Sequence, residues 1–360
     1  MIYPAEMTSQ ISFPLGGIGS GCIGLAGNGS LIDWEIFNRA NKGSYNGMSH
    51  FAVKAEKNGR VIDARILNGD LQPPYTGNYK DTEVNTYEGY GWGPSRNTLC
   101  GLPHFSRHVF TGEYPLARIV FEDPDFPGAV ELLAWSPLIP GNDRDSSLPS
   151  ACFEITLTNQ TADTLDYTVV GALTNPFKGP GVANRMNGSQ LILTHGGKGD
   201  ELDYGELCLT TDAPEISFQE YWYHGGWCDD LEVYWNDLSL PGKFRNRRYE
   251  SGADHRNTGL IAAHFRLAAG ECRTIRFVIT WHIPNRTNDW HKDADKMAAA
   301  NGLVNRWKNW YATQWENAAE SGRYLLDNYE RISRDTKLFH DTLFASTLPA
   351  EVMDGISANI

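Results

Sequence analysis

From Ser12 to about Ile283, short apolar runs rich in β-branched and aromatic residues alternate with clusters of Gly, Pro, Asn and Asp. Runs of this length between turn-forming clusters predict strands. Eight stand out: Phe51-Ala52-Val53, Ala117 to Phe121, Val130 to Trp135, Cys152 to Asn159, Tyr167 to Gly171, Leu191 to Thr194, Leu260 to Phe265 and Thr274 to Trp281. Many short strands at this spacing predict two packed antiparallel sheets, a mainly β fold of the β-sandwich type. The polar insert from Asn159 to Thr164 reads as the turn of a hairpin between two alternating strands. No repeat of fixed period is visible, which argues against a propeller or a solenoid in this part.

Near Pro284-Asn285-Arg286 the pattern changes. From about Asn305, apolar residues at Trp307, Tyr311, Trp315, Ala318, Leu325, Tyr329, Ile332, Phe339 and Leu343 recur largely in steps of three, four or seven, which predicts helix. The run reads as one rod or as two helices broken near Gly322, and at about 1.5 Å per residue it would reach across a domain as a connector. Ser346-Thr347-Leu348-Pro349 reads as a helix start, after which Val352, Ile356 and Ile360 share one face. A single amphipathic helix cannot bury its own stripe, so a truncated chain is expected. The expected division is a sandwich over 1–284, linker helices over 285–345 and the first helix of a truncated helical domain over 346–360.

Composition narrows the function. With 41% hydrophobic and 21% charged residues the chain is an ordinary globular one. Its net charge of −13 and its lack of any long basic block argue against a nucleic-acid partner. No stretch has the pattern of an export signal or the length of a membrane span, so a cytoplasmic location is expected. The six cysteines are far apart with no C-x-x-C pair, and the expectation is buried free thiols. Asn28, Asn159, Asn187 and Asn285 each begin an N-x-S/T triplet, which we treat as chance. Aromatics make up 12% of the chain, more than a core alone usually uses, and such rings suit flat ligands such as sugars.

Candidate chemistry is sparse. Gly19-Ser20-Gly21-Cys22-Ile23-Gly24 matches G-x-G-x-x-G, but the turn-prone residues around it do not open a helix, so tight turns beside a Gly-rich strand are the better account. Asp33 and Glu35, two apart on a strand, would share a face and either bind a cation or sugar hydroxyls or enter a structural ion-pair network; we favour the network. His104 and His108 have helical metal-ligand spacing in a strand-like context where it does not converge, so no metal site and no cofactor are expected. His282 sits at a strand exit, facing either a ligand or a backbone partner at a domain seam. The loop from Tyr221 to Asp230, with Trp222 and Trp227, and the stretch with Tyr75, Tyr79, Tyr87, Tyr90 and Trp92 offer either sugar platforms or packing. No nucleophile elbow, phosphate-binding lysine motif or triad can be placed.

Three segments carry a family resemblance: Phe13 to Gly21 followed by Asp33-Trp34-Glu35-Ile36-Phe37-Asn38-Arg39; Trp281-His282-Ile283-Pro284-Asn285-Arg286; and Phe339 to Pro349. Together they resemble glycoside hydrolase family 116, which holds non-lysosomal glucosylceramidase and bacterial β-glucosidases. Ser20-Gly21-Cys22 departs mildly from the Thr and small residues expected there. The resemblance implies an amino-terminal sandwich joined by long helices to an (α/α)6 solenoid that hydrolyses β-linked glucosides with retention. Retention needs two carboxyl groups about 5 to 5.5 Å apart. In the family both belong to the helical domain, at positions expected beyond Ile360, so no residue here inherits a catalytic role. Asp33, Glu35, Arg39, Trp222, Trp227, His282 and Arg286 are the candidates for sugar or interdomain contacts.

Three functions compete. The first is the non-catalytic sandwich part of a β-glucosidase, reaching its β-glucoside substrate through the helical domain. The second is a stand-alone carbohydrate-binding module, and the third a sandwich enzyme acting on free sugars with its own acid and base. No feature specifies an oligomeric state.

Overall fold

Each of the eight apolar runs lies in a strand, Asn159 alone falling just past the end of its own, in the computed structural model, which describes residues 1–71, 95–223, 229–249 and 257–358. Among these residues a nine-stranded antiparallel sheet runs in the order Ile2–Pro4, Arg107–Glu113, Leu116–Glu122, Ala129–Trp135, Ser150–Thr158, Cys272–His282, Glu206–Thr211, Gln190–Thr194, Ala183–Asn187. A five-stranded antiparallel sheet runs Ile216–Gln219, Thr258–Leu267, Leu165–Thr174, His50–Lys57, Arg60–Ile66. The two pack face to face as a sandwich-like β domain, and a three-stranded sheet (Ser12–Leu15, Cys22–Ala26, Leu31–Glu35) adds Leu15, Ile23, Leu25 and Trp34 to the same core.

Strand periodicity sorts the side chains. Along Ser150–Thr158, Ala151, Phe153, Ile155 and Leu157 enter the core between the sheets, while Cys152 joins Trp135 and Val278 on the opposite face. Along Leu165–Thr174, Tyr167 and Val169 face inward whereas Val170 and Ala172 face outward. Both faces of these strands are buried, which is why they read as continuous apolar runs. Phe51 meets Phe153 and Phe277 across the sandwich at ring separations of 4.8 and 5.6 Å. Burying each such ring contributes about 1.5–3 kcal/mol.

The expected hairpin at Asn159 to Thr164 is not one. Ser150–Thr158 pairs with Ala129–Trp135 and Cys272–His282, whereas Leu165–Thr174 pairs with His50–Lys57 and Thr258–Leu267 in the other sheet. The insert is a corner between sheets. The buried Asn159 secures it, its amide donating to the carbonyls of Asp163, Leu267 and Ala268 at 2.7, 3.0 and 3.1 Å.

Helices close both outer faces. Helix Asp230–Ser239 packs Leu231, Tyr234 and Leu238 on the five-stranded sheet. Helices Ala318–Asp327 and Tyr329–Phe344 cover the nine-stranded one. The helical run therefore starts at Ala318, not near Asn305: Trp307–Lys308 is a short strand paired with Asn285–Arg286, and Trp310–Thr313 is a 3-10 turn. The break falls at Asn328, not at Gly322. Gly322 instead permits close approach, since a Cβ there would lie 2.9 Å from Thr210 Oγ1 and 3.2 Å from Thr280 Oγ1. Polar anchors fix both helices. Glu154 accepts hydrogen bonds from Trp135, Tyr329 and Lys337, and Asp145 accepts from Tyr324 and Arg331. A last helix, Ala350–Ser357, begins after Pro349 as expected, with Met353 and Ser357 buried but Val352 and Ile356 exposed. Ile360 lies outside the described residues. Among the described residues no helix is long and apolar enough to cross a membrane.

Of the expected buried free thiols, Cys152 and Cys208 are free and buried, whereas Cys22 is free and half-buried and Cys272 free and exposed; Cys100 is half-buried, and Cys228 lies outside the described residues.

Candidate functional site

Two segments distant in sequence meet at one end of the sandwich. The Asn38 amide donates to the carbonyls of Ile283 and Asn285 at 3.3 and 3.0 Å, and Asn309 donates to Asn38 Oδ1 at 2.7 Å. Asn285 in turn donates to the carbonyls of Gly199 and Glu201 at 2.9 and 2.7 Å. Trp281 is fully buried and its indole N–H donates to Ser20 O at 2.7 Å, tying in the Gly-rich turn. In that turn Gly21, at φ 83°, lies so close to Glu35 O that a side chain would clash. The Gly-rich motif thus forms tight turns, as expected.

Around this junction lie two clefts. The larger, about 870 Å³, is lined by Trp34, Phe37, Arg39, Asn41, Arg96, Phe177, His195, Leu202, Asp203 and Asp230 among others. The smaller, about 690 Å³, is lined by Gly21, Cys22, Glu35, Asn38, Arg39, Asn285, Arg286, Asp289 and Trp290 among others. Phe37, Arg39 and Leu202 border both, so the clefts share a wall.

The candidates from the sequence separate here. Arg39, Arg286 and Glu35 come together on the smaller cleft. Glu35 pairs with Lys42 at 2.8 Å. Asp33 is buried away from both clefts, receiving hydrogen bonds at 2.6 Å from Ser12 Oγ and Gly43 N, with Lys42 at 3.4 Å. Burial pushes its carboxyl up, but those hydrogen bonds and the lysine outweigh it and hold the pKa below the usual value. The network favoured from sequence exists, with a lysine at its centre. Simple alternation fails, because Asp33 has φ 48° and the pairing of Leu31–Glu35 with Cys22–Ala26 shifts register there.

His282 is buried edge-on to Tyr311 with ring centroids 6.1 Å apart. Burial, then the nearby Lys308, lowers its pKa to about 4, so it is neutral at pH 7. It lines neither cleft. Trp222 is a correction: 1% exposed, it stacks on Tyr234 at 4.1 Å beneath helix Asp230–Ser239 and has no free face for a sugar. Trp227 lies outside the described residues, as do Tyr75, Tyr79, Tyr87, Tyr90 and Trp92. His104 and His108 do not converge: His104 bonds the Leu102 carbonyl at 2.8 Å and His108 bonds Thr8 Oγ1 at 2.9 Å.

Sequence reasoning missed the asparagine hub of Asn38, Asn285 and Asn309, although two of the three sit inside the segments that carry the resemblance. It also missed Trp290, His195 and Asp203. Trp290 is 95% exposed at the smaller cleft, and the same stretch leaves Leu303 and Val304 exposed and Trp307 and Trp310 partly so. His195, Glu201 and Asp203 each bring one possible metal-ligating atom within 4.8 Å of the others. Of the four carboxylates lining the clefts, three are engaged: Glu35 with Lys42, Asp203 with His195 at 3.6 Å and Asp230 with Arg96 at 3.1 Å. They stabilise loops rather than stand as a free acid and nucleophile.

Residues 12–332 match the family model described as beta-glucosidase 2, glycosyl-hydrolase family 116 N-term. Among solved structures, the chain resembles a putative kojibiose phosphorylase from the human microbiome at 11% identity and a TM-score of 0.38, covering 94% of this chain and 36% of that one. It also resembles the family GH92 α-mannosidase of Bacteroides thetaiotaomicron at 14% identity and a TM-score of 0.30, again covering 94% and 36%. A heparan sulfate lyase of Pedobacter heparinus aligns over 51% of this chain and 24% of its own, at 10% identity and a TM-score of 0.25. The chain spans about a third of the length of the first two. This chain belongs to glycosyl-hydrolase family 116, as its amino-terminal domain.

Proposed function

We propose that this chain is the non-catalytic sandwich part of a retaining β-glucosidase of the glucosylceramidase type, whose acid and nucleophile lie in a helical (α/α)6 domain. The observation that carries the reading is the junction of Asp33 to Arg39 with Trp281 to Arg286. It orders two clefts, with the exposed Trp290 on the smaller one, in a stretch that also leaves Leu303, Val304 and Trp307 exposed. An exposed apolar surface of this kind marks a contact site, and here its partner is the helical domain. Residues 318–344 serve as the connector and Ala350–Ser357 as the first solenoid helix, its exposed Val352 and Ile356 awaiting neighbours. The free thiols of Cys22, Cys152, Cys208 and Cys272 suit a reducing compartment, which supports a cytoplasmic location.

The stand-alone carbohydrate-binding module is favoured by one feature, the exposed Trp290 beside Asp289 and Arg286, which would offer a ring face and polar neighbours to a sugar. A hydrolysis assay separates the two. Residues 1–360 are expected to leave an aryl β-glucoside intact, while a chain extended through the downstream coding sequence hydrolyses it. Turnover by the short form, traced by mutation to one of its own carboxylates, overturns the reading.

A further inference from the structure

We infer that Arg39 and Arg286 form a paired-arginine anchor for a carboxylate side chain of the helical domain, received at the smaller cleft; this rests on the proposed function and gives that contact its chemistry. Both arginines line the cleft and both are exposed. Among the described residues neither guanidinium has a hydrogen-bond or ion-pair partner.

Their juxtaposition is built into the junction. Asn38 and Asn285, the residues just before them, are joined directly: the Asn38 amide donates to Asn285 O at 3.0 Å and to Ile283 O at 3.3 Å. Asn38 holds φ 57°, a left-handed conformation that asparagine tolerates better than most residues, and Asn309 fixes its side chain by donating to Oδ1 at 2.7 Å. Asn285 is buried and holds the Gly199 and Glu201 carbonyls, so the backbone from which Arg286 leaves is fixed as well. Antiparallel pairing sets Arg286 opposite Trp307, and directly opposed residues share a face of the ribbon. Two long cationic side chains thus leave anchored, neighbouring backbone beside exposed aromatic rings, Trp290 on the cleft and Trp307 on the ribbon.

The charge balance selects the partner. Of the two carboxylates lining the smaller cleft, Glu35 is paired with Lys42 at 2.8 Å, which leaves Asp289 against the two arginines. Residues 286–310 carry five Lys and Arg against three Asp, a local excess of positive charge in a chain whose net charge is −13. A matching anion complements such a patch, whereas a basic surface would be repelled. The planar arginine fork takes a carboxylate through two parallel N–H···O bonds, and arginine beside tryptophan is the composition at which binding energy concentrates in protein contacts. In the sandwich alone water solvates the two guanidinium groups. Beneath a covering domain they lose that water, and a charge so buried needs an opposite one.

The test compares three forms of the extended chain, the wild type, Arg39→Lys with Arg286→Lys, and Arg39→Gln with Arg286→Gln, by carbene labelling of Trp290, with residues 1–360 carrying the same substitutions as folding controls. In the controls Tm should stay unchanged, because neither side chain has a partner to lose. In the extended chain the glutamine form should keep less than about half of the wild-type protection of Trp290, and the lysine form, which keeps the charge but not the fork, should lie between. High salt should weaken protection in the wild type and leave the glutamine form unaltered. Equal protection in the wild-type and glutamine forms overturns the inference and leaves the proposed function standing. A fall in Tm of the controls shows that the sandwich itself uses the arginines and overturns it as well. Equal labelling of Trp290 in the wild-type short and extended chains overturns both the inference and the reading it rests on.

Discussion

Two aromatic-rich surfaces outside the sandwich core have opposite fates. Over the nine-stranded sheet, Trp135, Tyr311, Trp315 and Tyr329 are all buried beneath the helices or among their turns, and Glu154 and Asp145 lock the arrangement with hydrogen bonds. Along residues 287–310, Trp290 is 95% exposed and Val304 78%, although this stretch is anchored firmly at both ends by Asn285, Asn305 and Asn309. Both surfaces are rich in large apolar groups. They differ in whether the described chain supplies a cover, and the uncovered one reaches the smaller cleft at Trp290.

That contrast can be broken at several points. The largest effect is expected on the closed side: Leu325→Ala opens a cavity under the connector and should cost about 2–5 kcal/mol in urea unfolding. A change below 1 kcal/mol would show that the helix is only loosely seated. At the border between the two surfaces His282 is held neutral. Its folded pKa, about 4, lies below the ordinary 6.5, so the unfolded chain takes up a proton that the folded chain refuses. Stability from this group is present above pH 6.5 and is lost as pH falls toward 4. His282→Gln should flatten the acid limb of a stability profile by about 1–2 kcal/mol over that window, with His50 and His264, also near 4, retaining the rest. An unchanged slope would place its protonation elsewhere. The smallest effect belongs to the open side: Trp290→Ala should move the stability of residues 1–360 by no more than about 0.5 kcal/mol. A larger loss would make Trp290 a packing residue.

Strands were legible because runs such as Thr274 to Trp281 bury both faces and leave few alternatives. Their partners were not. Alternation places Cys152 to Asn159 and Tyr167 to Gly171 in strands but says nothing about which sheet each joins, and a six-residue insert serves a hairpin and a corner equally well. Gly322 misled for a related reason: a helix glycine weakens the helix locally, yet here the missing side chain is what admits Thr210 and Thr280. Trp222 and Trp290 show the limit for function. Both are tryptophans near acids and turn-forming residues, and only tertiary packing makes one a buried slab and the other an exposed ring. The clefts were partly legible, through Glu35, Arg39 and Arg286. Loop 195–205 was not, because its His, Glu and Asp are spaced as six and two with glycines between, a pattern shared by many exposed loops.

The central claim is that the exposed stretch from Trp290 to Trp310 is covered by the helical domain. Carbene footprinting of Trp290, Trp307 and Trp310 in residues 1–360 and in the extended chain tests it most directly. The account predicts heavy labelling of Trp290 in the short form and at least fivefold protection in the extended one. Equal labelling of Trp290 in both would contradict it.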